Sequence, residues 1–503
     1  MDRMIDRIIK MALVPLAVCL SASCLKEDRS SIVDPNDYFR TEQQCESAVN
    51  SCYMPLKNIY VFQYMIATEA VTDLASANGS AQVDARLMIS PGSSGIGSTI
   101  WKQCYIGVRN SCCAIERMES STLKKDQIAH LLGEARILRA YYYYLLTSFF
   151  GDVPFYENFV NTVEDLERVT RLPRMSAVDT RNHLIAELMS FMENMEQVRT
   201  CDAREHRCGA AMGWMLIAKM AMWNERWETA LSALAHLEEI YGNLDAYSLD
   251  DILFRHKNTP ESIFEIQHAY EKGGISYASN CASACMPYPR DPGTYTYNGV
   301  DIPELGIEAT TWSPIRPTTY FKSSIMPPSA GDLRRDINMV SSWNGHTFLD
   351  KNGNVNTWMG PKFWCLQMYS TSDSNNYKVF RYADAILMMA ECYCELEDFN
   401  RSIAYLDKVK VRAGLSPYGV FRDKVKLREE IRKERGRELF GEFQRKFDLV
   451  RWGIWYSYTY QYNSYIQSQD YIRPCHEYYP IPDAQIKASG YMLDNKAYEA
   501  YDL

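Results

Sequence analysis

Three groups of residues in this chain have types and spacings that could do chemistry. The first is Glu434, Glu438 and Glu442, carboxylates at four-residue steps amid Lys433, Arg435, Arg437 and Arg445. A pair of carboxylates is the minimum equipment for acid–base cleavage of a glycosidic bond. Acids and bases mixed at helical spacing are also what a salt-bridged helix needs, and we assign the run that structural role. The second is DKNGNVN, where Asp350, Asn352, Asn354 and Asn356 offer oxygens at alternate positions. A calcium loop of EF-hand type needs Gly at its sixth position and Glu at its twelfth. Here Gly353 stands fourth and Pro361 twelfth, so Asn352-Gly353 reads as a hairpin turn between strands. The third group is aromatic: Tyr288, Tyr295, Tyr297, Trp312 and Trp343 stand near Arg290, Asp291, Asn298 and Asn344. Sugar rings present flat C–H faces and edge hydroxyls, so aromatics flanked by amides and charges suit them.

Other chemistries find little support. There is no GxSxG, GxGxxG, P-loop or HExxH run, so the common enzyme and nucleotide signatures are missing. The 8 His residues are scattered and no CxxC occurs, so the sequence points to no metal and no cofactor. A net charge of −9 with a pI near 5.6 gives no electrostatic footprint for nucleic acid. Fifteen irregularly spaced cysteines in 503 residues are too sparse for a disulfide scaffold. Cys45 and Cys52 share a helix face as small buried hydrophobes, while Cys281 and Cys285 lie in an irregular stretch and could pair.

These groups need elements to position them, and the pattern is mostly helical. Residues 128–154 form the centre: Ile128, Leu131, Leu132, Ala135, Leu138, Tyr142, Leu145 and Phe149 make one apolar stripe. The run Tyr141–Tyr144 adds bulk on every side, so this helix is expected among other helices. Gly151 and Pro154 end it. Thr41 is an N-cap candidate for an earlier helix, and residues 75–98, rich in Gly and Ser, read as an exposed loop. Residues 156–174 read as a polar connector. Two helix pairs, at about 209–242 and at 383–415, have tetratricopeptide character. The ~140 residues between them break any simple solenoid, because stacked repeats touch only their neighbours. Within that interruption, residues 243–375 are rich in Pro, Gly, Ser, Asn and aromatics, with short candidate strands.

The amino terminus reads as export. Arg3, Arg7 and Lys10 precede the apolar run Met11–Leu20, which is shorter than the ~20 residues that span a bilayer and has the length of a signal-peptide core. Ser21-Ala22-Ser23 then leads to Cys24, similar to a lipobox, with a charged Lys26-Glu27-Asp28 tag behind it. Lipidation at Cys24 would anchor a soluble domain without a transmembrane helix.

Several motifs in order resemble the SusD/RagB-like family, the outer-membrane nutrient-binding lipoproteins of Bacteroidota. GEARILRAYYYY followed by FFGDVP is similar to the family's signature helix, with Gly133 and Ile137 as mild departures. Trp101, Tyr105, Ile106 and Asn110 approximate another of its patterns, and Asp332, Arg334 and Arg335 a third. Glu434, Arg435, Glu438, Leu439, Arg445, Asp448, Leu449, Arg451, Trp452 and Gly453 follow the family's order and spacing, as do Pro480, Ile481 and Pro482. The resemblance implies a mostly α fold: four tetratricopeptide-like helix pairs as scaffold, with a loop-rich insertion containing short strands. It implies residues 1–23 as signal peptide, 24–33 as lipid-anchored tether, 34–242 as the N-terminal helical part, 243–375 as the ligand-binding insertion and 376–503 as the C-terminal helices and tail. It also implies a non-catalytic role at the cell surface, capturing a glycan or other nutrient for a SusC-like TonB-dependent transporter in the outer membrane. The family's site takes polar contacts from the loop at 75–98, which adds Asn78 to the candidates. The ligand set is therefore Tyr288, Tyr295, Tyr297, Trp312, Trp343, Asn344 and Asn78. The alternatives are a tetratricopeptide scaffold for a protein partner and a lipid-anchored polysaccharide hydrolase.

Overall fold

The computed structural model describes residues 39–78, 83–274 and 276–503; the expected signal peptide, tether and lipidated Cys24 lie outside them. The first helix, α1 (Glu42–Ile59), starts at Thr41 through a capping box. Gln44 N donates to Thr41 Oγ1 (3.3 Å) while Gln44 Oε1 accepts from Thr41 N (3.2 Å), satisfying two otherwise orphaned donors. Helix α2 (Gly97–Glu119) and the central helix α3 (Lys125–Phe150) follow. Every residue of α3 from Ile137 to Phe150 is buried. The tyrosines are tolerable there because their hydroxyls find partners: Tyr142 donates to Cys52 O (2.6 Å) and Tyr143 to Tyr156 O (2.8 Å), and Tyr141 pairs with Tyr60. Gly107 of α2 makes room for the Tyr142 ring, with which any Cβ would collide.

Helices α4 (Ala177–Met189), α5 (Ala210–Trp223), α6 (Trp227–Tyr241), α7 (Tyr382–Glu395) and α8 (Phe399–Arg412) complete four pairs. The pairs are α1–α2, α3–α4, α5–α6 and α7–α8, and α6 packs on α7 across the long interruption. The fold is thus a helical scaffold with few, short strands. Two local readings need correction. The polar connector contains an exposed helix, Val163–Thr170, because Thr162 caps it by accepting from Asp165 N. The stretch 75–98 is not wholly an exposed loop: Gly92 and Gly95 lie in turns, but Ala75, Ala77, Ala85, Leu87 and Ile89 are buried. Its Asp84 accepts from Ile96 N (3.1 Å) and Tyr479 Oη (2.7 Å).

Four strands matter for the site. β2 (Ser262–Ile266) pairs antiparallel with β4 (Tyr377–Arg381) at the neck of the loop-rich segment. β1 (Ala75–Ala77) pairs antiparallel with β3 (Ile315–Pro317), tying the N-terminal part to that segment. The loop-rich segment has a second, smaller core that includes Met286, Tyr297, Ile302, Val340, Phe348, Trp358 and Trp364. Phe254, Ile325, Met339 and Phe363 of the same segment belong instead to the main core.

The glutamates considered for catalysis lie on helix α9 (Lys424–Glu438) and just beyond it, in a buried ionic network. Arg381 reaches Glu261, Glu438 (both 2.7 Å) and Glu442 (2.8 Å). Arg334 reaches Asp332, Glu434 (both 2.7 Å) and Glu438 (2.8 Å). Arg412 adds contacts to Glu261 and Glu438, and Lys362 to Glu442. Burial pushes the Glu438 carboxyl up, but Arg412, Arg381 and Arg334 outweigh it and hold the group well below the usual range. Glu261, Glu434 and Asp448 are also lowered by their arginines against the pull of burial.

Removing one partner of such a network strands buried charge. Arg381→Met is expected to cost about 3–5 kcal/mol, read as a large fall in thermal midpoint; a fall no greater than that of a surface Arg→Met control would contradict this account. The lowered carboxyls also set a pH limb. Their stabilisation is complete above their unfolded pKa of ~4.5 and is lost as pH falls from there toward the folded values. His268 and His476, pushed down to about 4 by burial, act in the same direction, beginning to weaken the fold below about pH 6.5. The thermal midpoint should therefore drop steeply between about pH 5 and pH 3, and a midpoint flat across that range would be inconsistent with the network.

Candidate functional site

The loop-rich segment is shaped by tight turns. Thr296–Tyr297 pairs with Val300–Asp301 around Asn298-Gly299, and Ser342–Trp343 pairs with His346–Thr347 around Asn344-Gly345. In both turns Asn and Gly have positive φ (47° and 76°, 47° and 81°), the geometry that joins two strands without splaying them. The Asn352-Gly353 turn expected from the sequence is present, with Asp350 N donating to Asn354 O (2.8 Å). It joins only a single bridge, Leu349 to Val355, rather than regular strands. The Asp350 carboxylate accepts from the backbone N–H groups of Asn352 and Asn354 (both 2.8 Å). Cys281 and Cys285 are free, both buried in the short helix Cys281–Cys285.

The candidate residues divide into three places. Asn78 and Trp312 come together at the β1–β3 junction: Asn78 is exposed and its N–H donates to Pro314 O (2.8 Å). Trp312 is 41% exposed, with its ring centroid 5.0 Å from that of Phe62. Tyr288, 46% exposed, is on the adjacent loop, which Thr311 and Ser313 hold through Pro287 O and Met286 O. Tyr295 is exposed one hairpin away, anchored by Ile302 N donating to its carbonyl (2.9 Å). Trp343 and Asn344 occupy the second hairpin. Trp343 is half-buried against Trp364 (4.9 Å), and Asn344 is an exposed turn residue. These two line a cavity of about 430 Å³ with Arg335, Asp336, Ser341 and Ser342.

Tyr297 is a correction. It is fully buried in the smaller core, and its hydroxyl donates to Gly306 O (2.8 Å), so no ligand reaches it. The sequence reading took it for a surface aromatic because it stands among turn residues, but strand alternation points it inward. Asn298 is likewise structural: its Oδ1 accepts from Trp358 Nε1 (3.0 Å) and Asn356 Nδ2 (3.1 Å). Two exposed or half-buried residues escaped the sequence reading. Tyr369, 38% exposed, is parallel to Tyr270 and carries Lys272 over its face at 4.1 Å. Arg316 lies over the Trp358 ring, 3.2 Å from its centroid. Tyr369 was open to the same signal used for the others, an aromatic among turn-forming residues; Arg316, within a short strand, offered none.

As a chemical device this surface can stack and donate hydrogen bonds. The glutamates of α9 are engaged with arginines, and no group of three or more His, Cys, Asp or Glu that could hold a metal occurs among the described residues. Larger cavities lie elsewhere, among them one of about 480 Å³ lined by His130, Glu134, Phe191 and Arg207. Another of about 540 Å³ is lined by Tyr53, Phe264, His268 and Tyr277, and one of about 560 Å³ by Asp152, Arg174, Arg181 and Tyr478.

Two family models match the chain. The model described as the SusD family matches residues 337–498, and the one described as "Starch-binding associating with outer membrane" matches residues 31–190. This is a SusD/RagB-like protein. The SusD-like protein P25 of Formosa agariphila is 22% identical over 94% of the chain and 95% of its own length. A SusD homologue from Bacteroides thetaiotaomicron has a TM-score of 0.73 at 17% identity, covering 91% of the chain and 97% of that structure. Surface glycan-binding protein A from the same organism, solved in complex with laminarihexaose, has a TM-score of 0.70 at 20% identity over 90% and 99%. These likenesses place the SusD fold over nearly the whole described chain.

The division between packing and surface residues is testable. Tyr297→Phe in this SusD/RagB-like protein is expected to lower stability by about 1 kcal/mol, seen as a small shift in urea midpoint, and to leave any glycan affinity unchanged. A loss of glycan binding by well-folded Tyr297→Phe would return the residue to the site.

Proposed function

We propose that the protein is a cell-surface, non-catalytic glycan-binding lipoprotein that delivers its ligand to a SusC-like TonB-dependent outer-membrane transporter. The observation that carries this reading is the β1–β3 junction, where exposed Trp312, Tyr288 and Asn78 stand on neighbouring loops. Stacking on such rings with hydrogen bonds from nearby amides suits a sugar chain and needs no covalent step. A similar structure solved with laminarihexaose supports a glycan as ligand. The SusD-like kinship supports the barrel partner and the outer-membrane position. Lipidation of Cys24 supplies the anchor, residues 243–375 act as the ligand-binding insertion, and the helical parts on either side hold it. The hydrolase alternative loses its best carboxylates, since Glu434, Glu438 and Glu442 are committed to buried arginines.

Affinity electrophoresis of the soluble form beginning after Cys24, through gels containing a panel of neutral and acidic polysaccharides, tests the reading. At least one polysaccharide should retard the protein, and Trp312→Ala should weaken that retardation about tenfold, the loss expected for one stacking anchor. No retardation by any member of the panel would sink the proposal. Retardation untouched by both Trp312→Ala and Tyr288→Ala would move the site elsewhere.

A further inference from the structure

Many buried and half-buried arginines in this protein are neutralised by carboxylates, and others, such as Arg181, Arg255, Arg290 and Arg473, donate a terminal nitrogen to a backbone carbonyl. Arg334, Arg381, Arg412, Arg435, Arg445 and Arg451 each contact at least one carboxylate. Arg316 does not: among the described residues it forms no ion pair. Its guanidinium is fixed all the same. Its Nε donates to Ser313 O (3.0 Å) and its plane lies on Trp358, a ring itself held by Asn298. The two terminal nitrogens make no hydrogen bond to the described protein, leaving a pre-organised fork of donors, the geometry that grips a carboxylate or sulfate. Burial pushes the guanidinium down to about 9 with no acid nearby to restore it.

Arg316 is not alone. Lys322 is half-buried, forms no ion pair or side-chain hydrogen bond among the described residues, and is disfavoured as a cation first by burial and then by the charges of Arg316 and Arg335. Arg335 is bound through backbone carbonyls of Lys322 and Met326, and the one acid acting on it is exposed Asp336. Two cations thus repel a third, Lys322, on a chain whose net charge is −9. Their place connects the candidate residues. Arg316 is on β3, two residues from the Pro314 carbonyl that accepts from Asn78, while Arg335 lines the cavity shared by Trp343 and Asn344.

We infer that the ligand is an acidic glycan whose carboxylate or sulfate groups seat on Arg316, Lys322 and Arg335. This rests on the glycan-binding reading and names the class of sugar. The sugar faces stack on the exposed aromatics and the anions complete the charge balance that the protein leaves open. A neutral glycan would leave the three cations unmatched.

Matched probes decide it: polygalacturonate against its fully methyl-esterified form, and carrageenan against unsulfated agarose, in the same gel assay. One acidic member should retard the protein at least tenfold more strongly than its neutral twin, and which one does so separates carboxylate from sulfate. Arg316→Gln and Lys322→Gln should each reduce that retardation about tenfold, the size expected for a charge-assisted contact, and 0.5 M NaCl should weaken it further. Lys322→Gln touches no structural contact, so it keeps the test alive if Arg316→Gln fails to fold. No retardation by either acidic polysaccharide, equal retardation by the neutral twins, or retardation indifferent to both substitutions overturns the inference. Binding to neutral polysaccharides in those cases leaves the glycan-binding reading standing; binding to none removes both.

Discussion

The structure depends on burying charge in complete sets. Arg334 and Lys362 from the loop-rich segment, Arg381 from β4 and Arg412 from α8 converge on Glu434 and Glu438 of α9 and Glu442 beyond its end, with Glu261 beside β2 pairing Arg381 in turn. Each ion alone would cost several kcal/mol to desolvate, and the opposite charge placed against it offsets that cost. Apolar packing could hold the same elements together, but it is indifferent to direction. A bidentate guanidinium between two carboxylates fixes angle as well as distance. The segment that carries the exposed aromatics is therefore held in register with the helices by geometry as well as by area.

A second polar clamp works at the N-terminal side. The buried Glu69 carboxylate accepts from the backbone N–H groups of Gly441, Gln444 and Arg445, and Asp73 pairs with Arg445. Burial prevails over these donors and pushes Glu69 up to about 7. The same loop, 441–445, thus receives the start of the chain on one side and leads into helix Arg445–Arg451 on the other. What resemblance identifies as an ordered string of Glu, Arg and Asp is physically a hub with contacts to several distant parts of the chain.

Much of this could be seen in the sequence, for reasons that differ by element. The central helix was legible because its apolar period and its Gly151 stop are local properties. The two tetratricopeptide-like pairs were legible for the same reason, while α1–α2 and α3–α4 became pairs only through packing. The assignment of Glu434, Glu438 and Glu442 to structure came from their mixed-charge surroundings; their partners Arg334 and Arg381 lie far away in sequence and could not be matched to them from spacing alone. The aromatic candidates were chosen by type and by loop composition, which cannot tell Trp312 from Tyr297. Inward or outward direction is set by two-residue turns and by one-residue alternation along short strands, too small a signal to read without coordinates. Arg316 was invisible because its distinction is a missing partner, and absence of a partner is a property of three dimensions.

The β1–β3 pairing joins segments about 240 residues apart in the chain. Contacts of such long sequence separation are slow to form, because loop closure must precede any reward. A chain emerging from its amino terminus can assemble α1 to α3 early, yet Ala75–Ala77 remains an unpaired edge until residue 317 has arrived. Thr318, which donates through its N–H to Leu74 O and through its hydroxyl to Asp73 O, then closes the seam. Recognition at this seam, as proposed, is in this sense a late acquisition in the life of each molecule, available only once these two distant segments have met.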